Sequence, residues 1–280
     1  MAPPERATAP VKIGIGEVAA LAYRLVFGRL GLALELGWLP LLVMLAAELA
    51  PGLAQFFRPV PDAASAPPVT VADIVGIVAA LLCLNAFAVR WYQALLIGGG
   101  RAPPPRLFLA AWARFIGYTL LFSLPAAGPA VGLALAGVTP GAADEASRLV
   151  AAIAALPSLA LALAVLRLSL VWPAAAQGFP LRWRAAWRAM RGNTWRLFAV
   201  LLLVYLPIFV AAGVALGIVL TAAHVEIEQV AAHPTLGFVL LQGVLDTVVQ
   251  FILVALGATV FVEFYRRLVL AAPAERSADP

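Results

Sequence analysis

The sequence predicts an all-α, polytopic membrane protein of six transmembrane helices with added interfacial amphipathic helices. Three observations predict it. Of 280 residues, 64% are hydrophobic and 12% charged, against about 25% charged in a soluble domain. The apolar residues gather into runs that exceed the roughly 20 residues a helix needs to cross a bilayer. The arginines stand at the ends of these runs and favour one side, as cytoplasmic loops do.

Taken in order, residues 1–10 are small, polar and Pro-rich, and they predict a disordered N-terminal tail. From Val11 to Gly28 the pattern is amphipathic. Ile15, Val18, Leu21, Ala22, Leu25 and Val26 share one face, while Glu17 and Arg24 point elsewhere, so this helix should lie in the membrane plane. The first span is Leu30–Phe57, with Glu35 and Pro40 inside it. The second is Val71–Ile97, stopped by three glycines and three prolines over residues 98–105. The third is Leu107–Ala136, with Pro125 and Pro129. The fourth is Leu149–Ala176, interrupted by Pro157 and ending around Pro173. A basic surface helix follows at Leu181–Arg191. The fifth span is Thr194–Ala222, with Pro207, and the sixth is Leu236–Leu270. Residues 271–280 predict a second disordered tail, leaving 11–270 as a single six-helix transmembrane domain.

The chain carries eighteen arginines and one lysine. With its many Ala, Gly and Pro residues, this usage points to a GC-rich bacterial genome. A pI near 10.0 would suggest nucleic acid in a soluble protein. Here the charge follows the ends of apolar runs, so no nucleic-acid partner is expected. The arginine bias places both termini in the cytoplasm of a multi-pass protein of the bacterial inner membrane. The first apolar run is too long for a signal-peptide core, so no cleavable leader is expected.

The segment from Arg167 to Phe198 fixes this topology. It holds four of the seven tryptophans and six basic residues. Leu181, Trp183, Trp187 and Met190 can face lipid, and Arg182, Arg184, Arg188 and Arg191 can reach phosphates. Arg90, Arg167 and Arg196 stand near cytoplasmic helix ends and are further candidates for headgroup contacts, because arginine forms forked hydrogen bonds with phosphate. Anionic lipid is therefore the expected partner, beside a possible membrane-protein partner.

One intramembrane position stands apart. Asp246 lies ten residues into the sixth span, where a carboxylate costs about 2.5–3.5 kcal/mol on insertion scales. Gln242 and Gln250 are four residues to either side and share its face. Such a stripe serves either helix association or a polar path. Glu263 should pair with Arg266 or Arg267. His224, Glu226, Glu228 and His233 match no metal motif and read as a solvated loop. No catalytic set, cofactor fingerprint or metal site is predicted, and the lone Cys83 reads as an apolar filler.

AVRWYQALLIGGGR at the end of the second span, RLSLVWPAAAQGFPLRWRAAWRAMRGNTWRLF and the C-terminal EFYRRL together resemble a family of uncharacterised bacterial inner-membrane proteins. That family is similar to the membrane domain attached to some glycerophosphoryl diester phosphodiesterases. The resemblance implies a six-helix membrane domain. The family often has His-Arg and Gly-Glu pairs where this chain has Tyr92-Gln93 and Gly98-Gly99. No stretch here supplies the strands or carboxylates of the catalytic barrel. The functional expectation is a non-enzymatic membrane scaffold or lipid-organising protein. The alternative is a small transporter or lipid-handling protein using the polar residues around Asp246.

Overall fold

The computed structural model describes residues 12–57, 71–97, 105–135, 160–179, 181–222 and 235–271. Among them every regular element is helical. The helices are α1 (Ile15–Gly28), α2 (Leu30–Phe57), α3 (Val71–Ile97), α4 (Pro105–Leu135), α5 (160–168), α6 (Val171–Ala176), α7 (Trp183–Ala189), α8 (Thr194–Ala222) and α9 (Leu236–Tyr265). Over Arg266–Leu270 the last helix loosens to wider turns, with Ala271 donating to the Arg266 carbonyl five residues back. The expected tails, but for Ala271, and the 224–233 loop lie outside the described residues.

Four stretches are long and apolar enough to cross a membrane: Leu30–Ala50, Ile74–Ile97, Thr194–Thr221 and Leu236–Leu270. Their large apolar side chains are turned outward in numbers that water would not tolerate. Leu34, Leu39 and Leu42 on α2, Ile74 and Ile77 on α3, and Leu206, Phe209 and Val210 on α8 are all exposed. Lipid is the solvent that suits such a surface.

The fourth expected span shows a local difference. Its described part is two helices, α5 and α6, separated by a turn at Ser169–Leu170. The cause is Pro173. It has no N–H to offer the Ser169 carbonyl, and its ring crowds that carbonyl. Ser169 instead accepts from the Trp172 N–H at 3.3 Å, one residue earlier. The surface helix is also shorter than expected, covering Trp183–Ala189. Met190, expected to face lipid, is fully buried. It stands four residues after Ala186, which is also fully buried, so these two positions form the inward face at the end of α7.

The chain divides into two compact units. One comprises Ala19–Ala102 and Leu201–Val260. Here α2 and α3 form an antiparallel pair: Gly37 lies against Phe87, and Ala47 lies against Gly76. Gly37 also receives the Phe251 ring of α9, which stacks on Phe87 with centroids 4.1 Å apart. Gly37 has no Cβ because these two rings occupy its place. The Trp91 indole of α3 donates to the Ala255 carbonyl at 3.1 Å and the Thr259 hydroxyl at 3.0 Å. Since Phe87 meets Phe251 and Trp91 meets Ala255, α3 and α9 run parallel. Further along, Gly257 gives room to the Tyr205 hydroxyl of α8, and Tyr23 donates to the Val204 carbonyl at 2.7 Å.

The other unit comprises Met1–Val18, Pro103–Val200 and Phe261–Pro280. Its centre is aromatic. Trp172 of α6 meets Phe115 and Phe122 of α4, at 6.4 and 5.2 Å between centroids, and stacks on Phe261 at 6.3 Å. Its edge is tied by arginines. Arg196 donates to the Ile13 carbonyl at 2.7 Å. Arg267 reaches Glu263 at 2.6 Å and Glu17 at 2.8 Å.

Candidate functional site

The basic, tryptophan-bearing segment is built by two glycine turns. At the end of α6, Gly178 adopts a φ of +84°. Its N–H bonds the Ala175 carbonyl, and the Phe179 N–H bonds the Ala174 carbonyl. This paired arrangement ends a helix and reverses the chain. Arg114 of α4 donates to the Gly178 carbonyl at 2.9 Å and holds the turn. After α7, Gly192 adopts a φ of +82°. Asn193 donates to the Met190 carbonyl there, and its own carbonyl accepts from Leu197 to open α8.

Between these turns α7 presents an interleaved surface. Arg182, Arg184, Arg188 and Arg191 are exposed, and so are Trp183 and Trp187. Ala186 alone of the helix is buried. Arg188 donates to the Arg184 carbonyl, one turn back.

Arg167, at the end of α5, is brought to α7 across twenty residues of sequence. Its guanidinium carbon lies 4.2 Å above the centre of the Trp187 ring. Its Nε donates to the Trp187 carbonyl at 3.4 Å. The cation is thus held flat on an aromatic face, an attraction worth about 0.5–2 kcal/mol depending on desolvation. Among the described residues no carboxylate pairs with it. A cavity of about 340 Å³ opens beside it. Arg167, Trp187 and Trp195 line one part, and Ala160, Leu163 and Ala164 line another. A second hollow of about 410 Å³ shares Trp187 and adds Leu168, Trp183, Arg184 and Arg188.

The remaining candidate arginines sit differently. Arg196 is engaged with Ile13. Arg90 is exposed on α3, in the other compact unit. The structure therefore brings Arg167, Arg184 and Arg188 together around Trp187, with Arg182 and Arg191 at the two ends of α7. It ties Arg196 to the N-terminal segment.

The polar stripe of α9 has a partner that the sequence did not reveal. Gln250 donates through Nε2 to Glu48 Oε1 on α2 at 3.0 Å. One turn and more away, Gly243 lies against Leu49 and Glu48. Asp246 is half-buried and Gln242 is exposed. Thr247, on the same face as Gly243 and Gln250, is 1% exposed, and its hydroxyl has no hydrogen-bond partner among the described residues. The signal for Glu48 was present: a glutamate inside the apolar run LAAELA. Nothing in that run pairs it with Gln250.

Glu263 pairs with Arg267, one of its two expected partners. Glu17 is the second acid on that guanidinium, and the hydrogen bond from Arg267 lowers its pKa below the ordinary 4.5. No three His, Cys, Asp or Glu side chains gather as metal ligands among the described residues.

No protein family, curated protein or solved structure matches this chain in comparison. The resemblance noted from the sequence therefore rests on the quoted residues alone.

Proposed function

We propose that this is a non-enzymatic integral protein of the bacterial inner membrane that organises anionic phospholipid, alone or around a membrane-protein partner, through α7. The observation that carries the reading is the interleaving of four exposed arginines with exposed Trp183 and Trp187 over residues 182–191. Indole rings favour the headgroup level. Each arginine held there gains about 1 kcal/mol from an anionic leaflet.

Six spans with cytoplasmic termini belong to this reading. Because α3 and α9 run parallel, an odd number of crossings separates them in a membrane. Crossing by α8 alone gives four spans; crossing also by α4 and by 149–176 gives six. Either number returns the C-terminus to the side of the N-terminus. The 31 residues of α4 rise about 46 Å, more than the roughly 30 Å hydrocarbon core, which supports six. The arginine bias supports a cytoplasmic location for the termini. The likeness to membrane domains of glycerophosphoryl diester phosphodiesterases agrees with six helices and supplies no reaction.

The test is reconstitution in phosphatidylcholine carrying a trace of dansyl-labelled phosphatidylglycerol. Energy transfer from tryptophan should exceed that to a labelled neutral lipid and decline with added salt. Changing Arg182, Arg184, Arg188 and Arg191 together to Gln should remove most of the excess. An undiminished excess in that variant would refute the reading.

The bond between Gln250 and Glu48 favours a second reading, a small transporter or lipid-handling protein. Intramembrane carboxyl groups mark substrate and proton paths. An Asp246→Asn variant whose transport or growth phenotype equals that of the parent would remove its main support.

A further inference from the structure

We infer that the cavity beside Arg167 is a binding site for one anionic phospholipid molecule, whose phosphodiester rests on Arg167 and whose acyl chain lies along Ala160, Leu163 and Ala164. The inference rests on the reading of this segment as membrane-interfacial. It differs from that reading in kind: α7 would attract many anionic lipids loosely, whereas this cavity holds one.

Three features of the cavity select a phospholipid. The first is the readiness of the cation. Arg167 is fixed from one side by the Trp187 ring and through Nε by the Trp187 carbonyl. Among the described residues its two terminal nitrogens remain for a ligand, and a guanidinium fork matches two phosphate oxygens. Holding the side chain in advance removes part of the entropy that binding would otherwise cost.

The second is the gradient of polarity along α5. Arg167 and Ala160 are seven residues apart, about 10 Å along a helix axis. The lining changes over that length from a cation on the Trp187 ring to Ala160, Leu163 and Ala164. A free phosphate would satisfy the first part and leave the second empty. An acidic peptide would bring backbone amides against the apolar wall, with no partners there. A lipid has a charged end and an apolar end, in that order and at that distance.

The third is the shape of the wall. Ala160 and Ala164 are one turn apart on α5 and carry only methyl groups, which makes a shallow channel suited to a hydrocarbon chain. Gly192 also lines the cavity and adds no side chain to narrow it. No described lining residue is acidic, so none of them repels a phosphate.

The experiment uses the full-length protein in nanodiscs of phosphatidylethanolamine and phosphatidylglycerol, released into the gas phase for native mass spectrometry. One phosphatidylglycerol should survive release on the parent protein. It should also survive on the variant with Arg182, Arg184, Arg188 and Arg191 changed to Gln, which separates this site from the surface helix. Arg167→Gln should lower retention about tenfold or more, the scale of a lost forked charge-assisted contact. Ala160→Phe should do the same by filling the apolar end; Ala160 is exposed, so the larger ring leaves the fold intact. If Arg167→Gln fails to fold, Ala160→Phe decides alone. Retention unchanged in Arg167→Gln and Ala160→Phe would overturn the inference. So would displacement of the lipid by soluble glycerol phosphate at equal concentration, which would make this a free-anion site.

Discussion

Gln250 on α9 donates a 3.0 Å hydrogen bond to Glu48 on α2, joining two residues 202 positions apart in the chain. Both stand inside stretches apolar enough to cross a membrane. The bond gives the costly stripe around Asp246 a structural neighbour, and it makes the contribution of that stripe measurable. In a double-mutant cycle of Glu48→Leu and Gln250→Leu, the coupling should be about 0.6 kcal/mol and no more than about 1.7, the range found for interhelical hydrogen bonds in lipid. Unfolding by SDS titration in mixed micelles reads it directly. A coupling of zero would mean that the two side chains do not act as a pair.

Gly37 leads to a sharper expectation. A Cβ there would enter the ring of Phe251 and press on Phe87. Gly37→Ala should therefore destabilise the protein by about 1–3 kcal/mol, as overpacking does. The same alanine combined with Phe251→Leu should recover part of the loss. Thermal stability in detergent, measured on both variants, checks the pair.

Trp91 is fully buried and donates to two acceptors on α9. Trp91→Phe keeps a ring for the Phe87 contact but removes the N–H. The expected loss is about 1–2 kcal/mol, visible in the same SDS titration. Thr259 keeps its own bond to the Ala255 carbonyl, which limits the damage.

Glu17 provides a pH dependence. Its hydrogen bond from Arg267 lowers its pKa below the ordinary 4.5. A carboxylate with a depressed folded-state pKa contributes stability above its unfolded value, and that stability is lost as pH falls through the folded value. The melting difference between the parent and Glu17→Gln should therefore be present at neutral pH and vanish in acid. A difference that persists unchanged into strong acid would assign the effect to packing.

Much of the helical frame was legible. The ends of α2, α3 and α8 fall where the sequence places them, because long apolar runs stop abruptly at charges, glycines or prolines. The break between the fourth span and the surface helix was legible in the same way. What could not be read was pairing between distant segments. Nothing in the sequence pairs Glu48 with Gln250, 202 positions away. Arg167 looked like a residue reaching for headgroups, and nothing in the sequence places the Trp187 ring beneath it. The break at Ser169 was misplaced because the effect of a proline falls on the carbonyl four residues earlier, toward the N-terminus. Met190 was assigned to lipid with Trp183 and Trp187, because nothing in the sequence marks it, with Ala186 one turn before, as the inward face of α7.

The contact between Gly37 and Phe251 also sets an order of events at the ribosome. At about 5–20 residues per second, the codon for Phe251 is read roughly 10–40 s after that for Gly37. For most of that interval the glycine notch of the first apolar helix has only the Phe87 ring against it, and the Phe251 ring that fills the rest does not yet exist. Lipid tails or an insertion factor must shelter the notch meanwhile. A chain cut short before α9 would carry it permanently, as a mark by which quality control could tell an unfinished protein from a complete one.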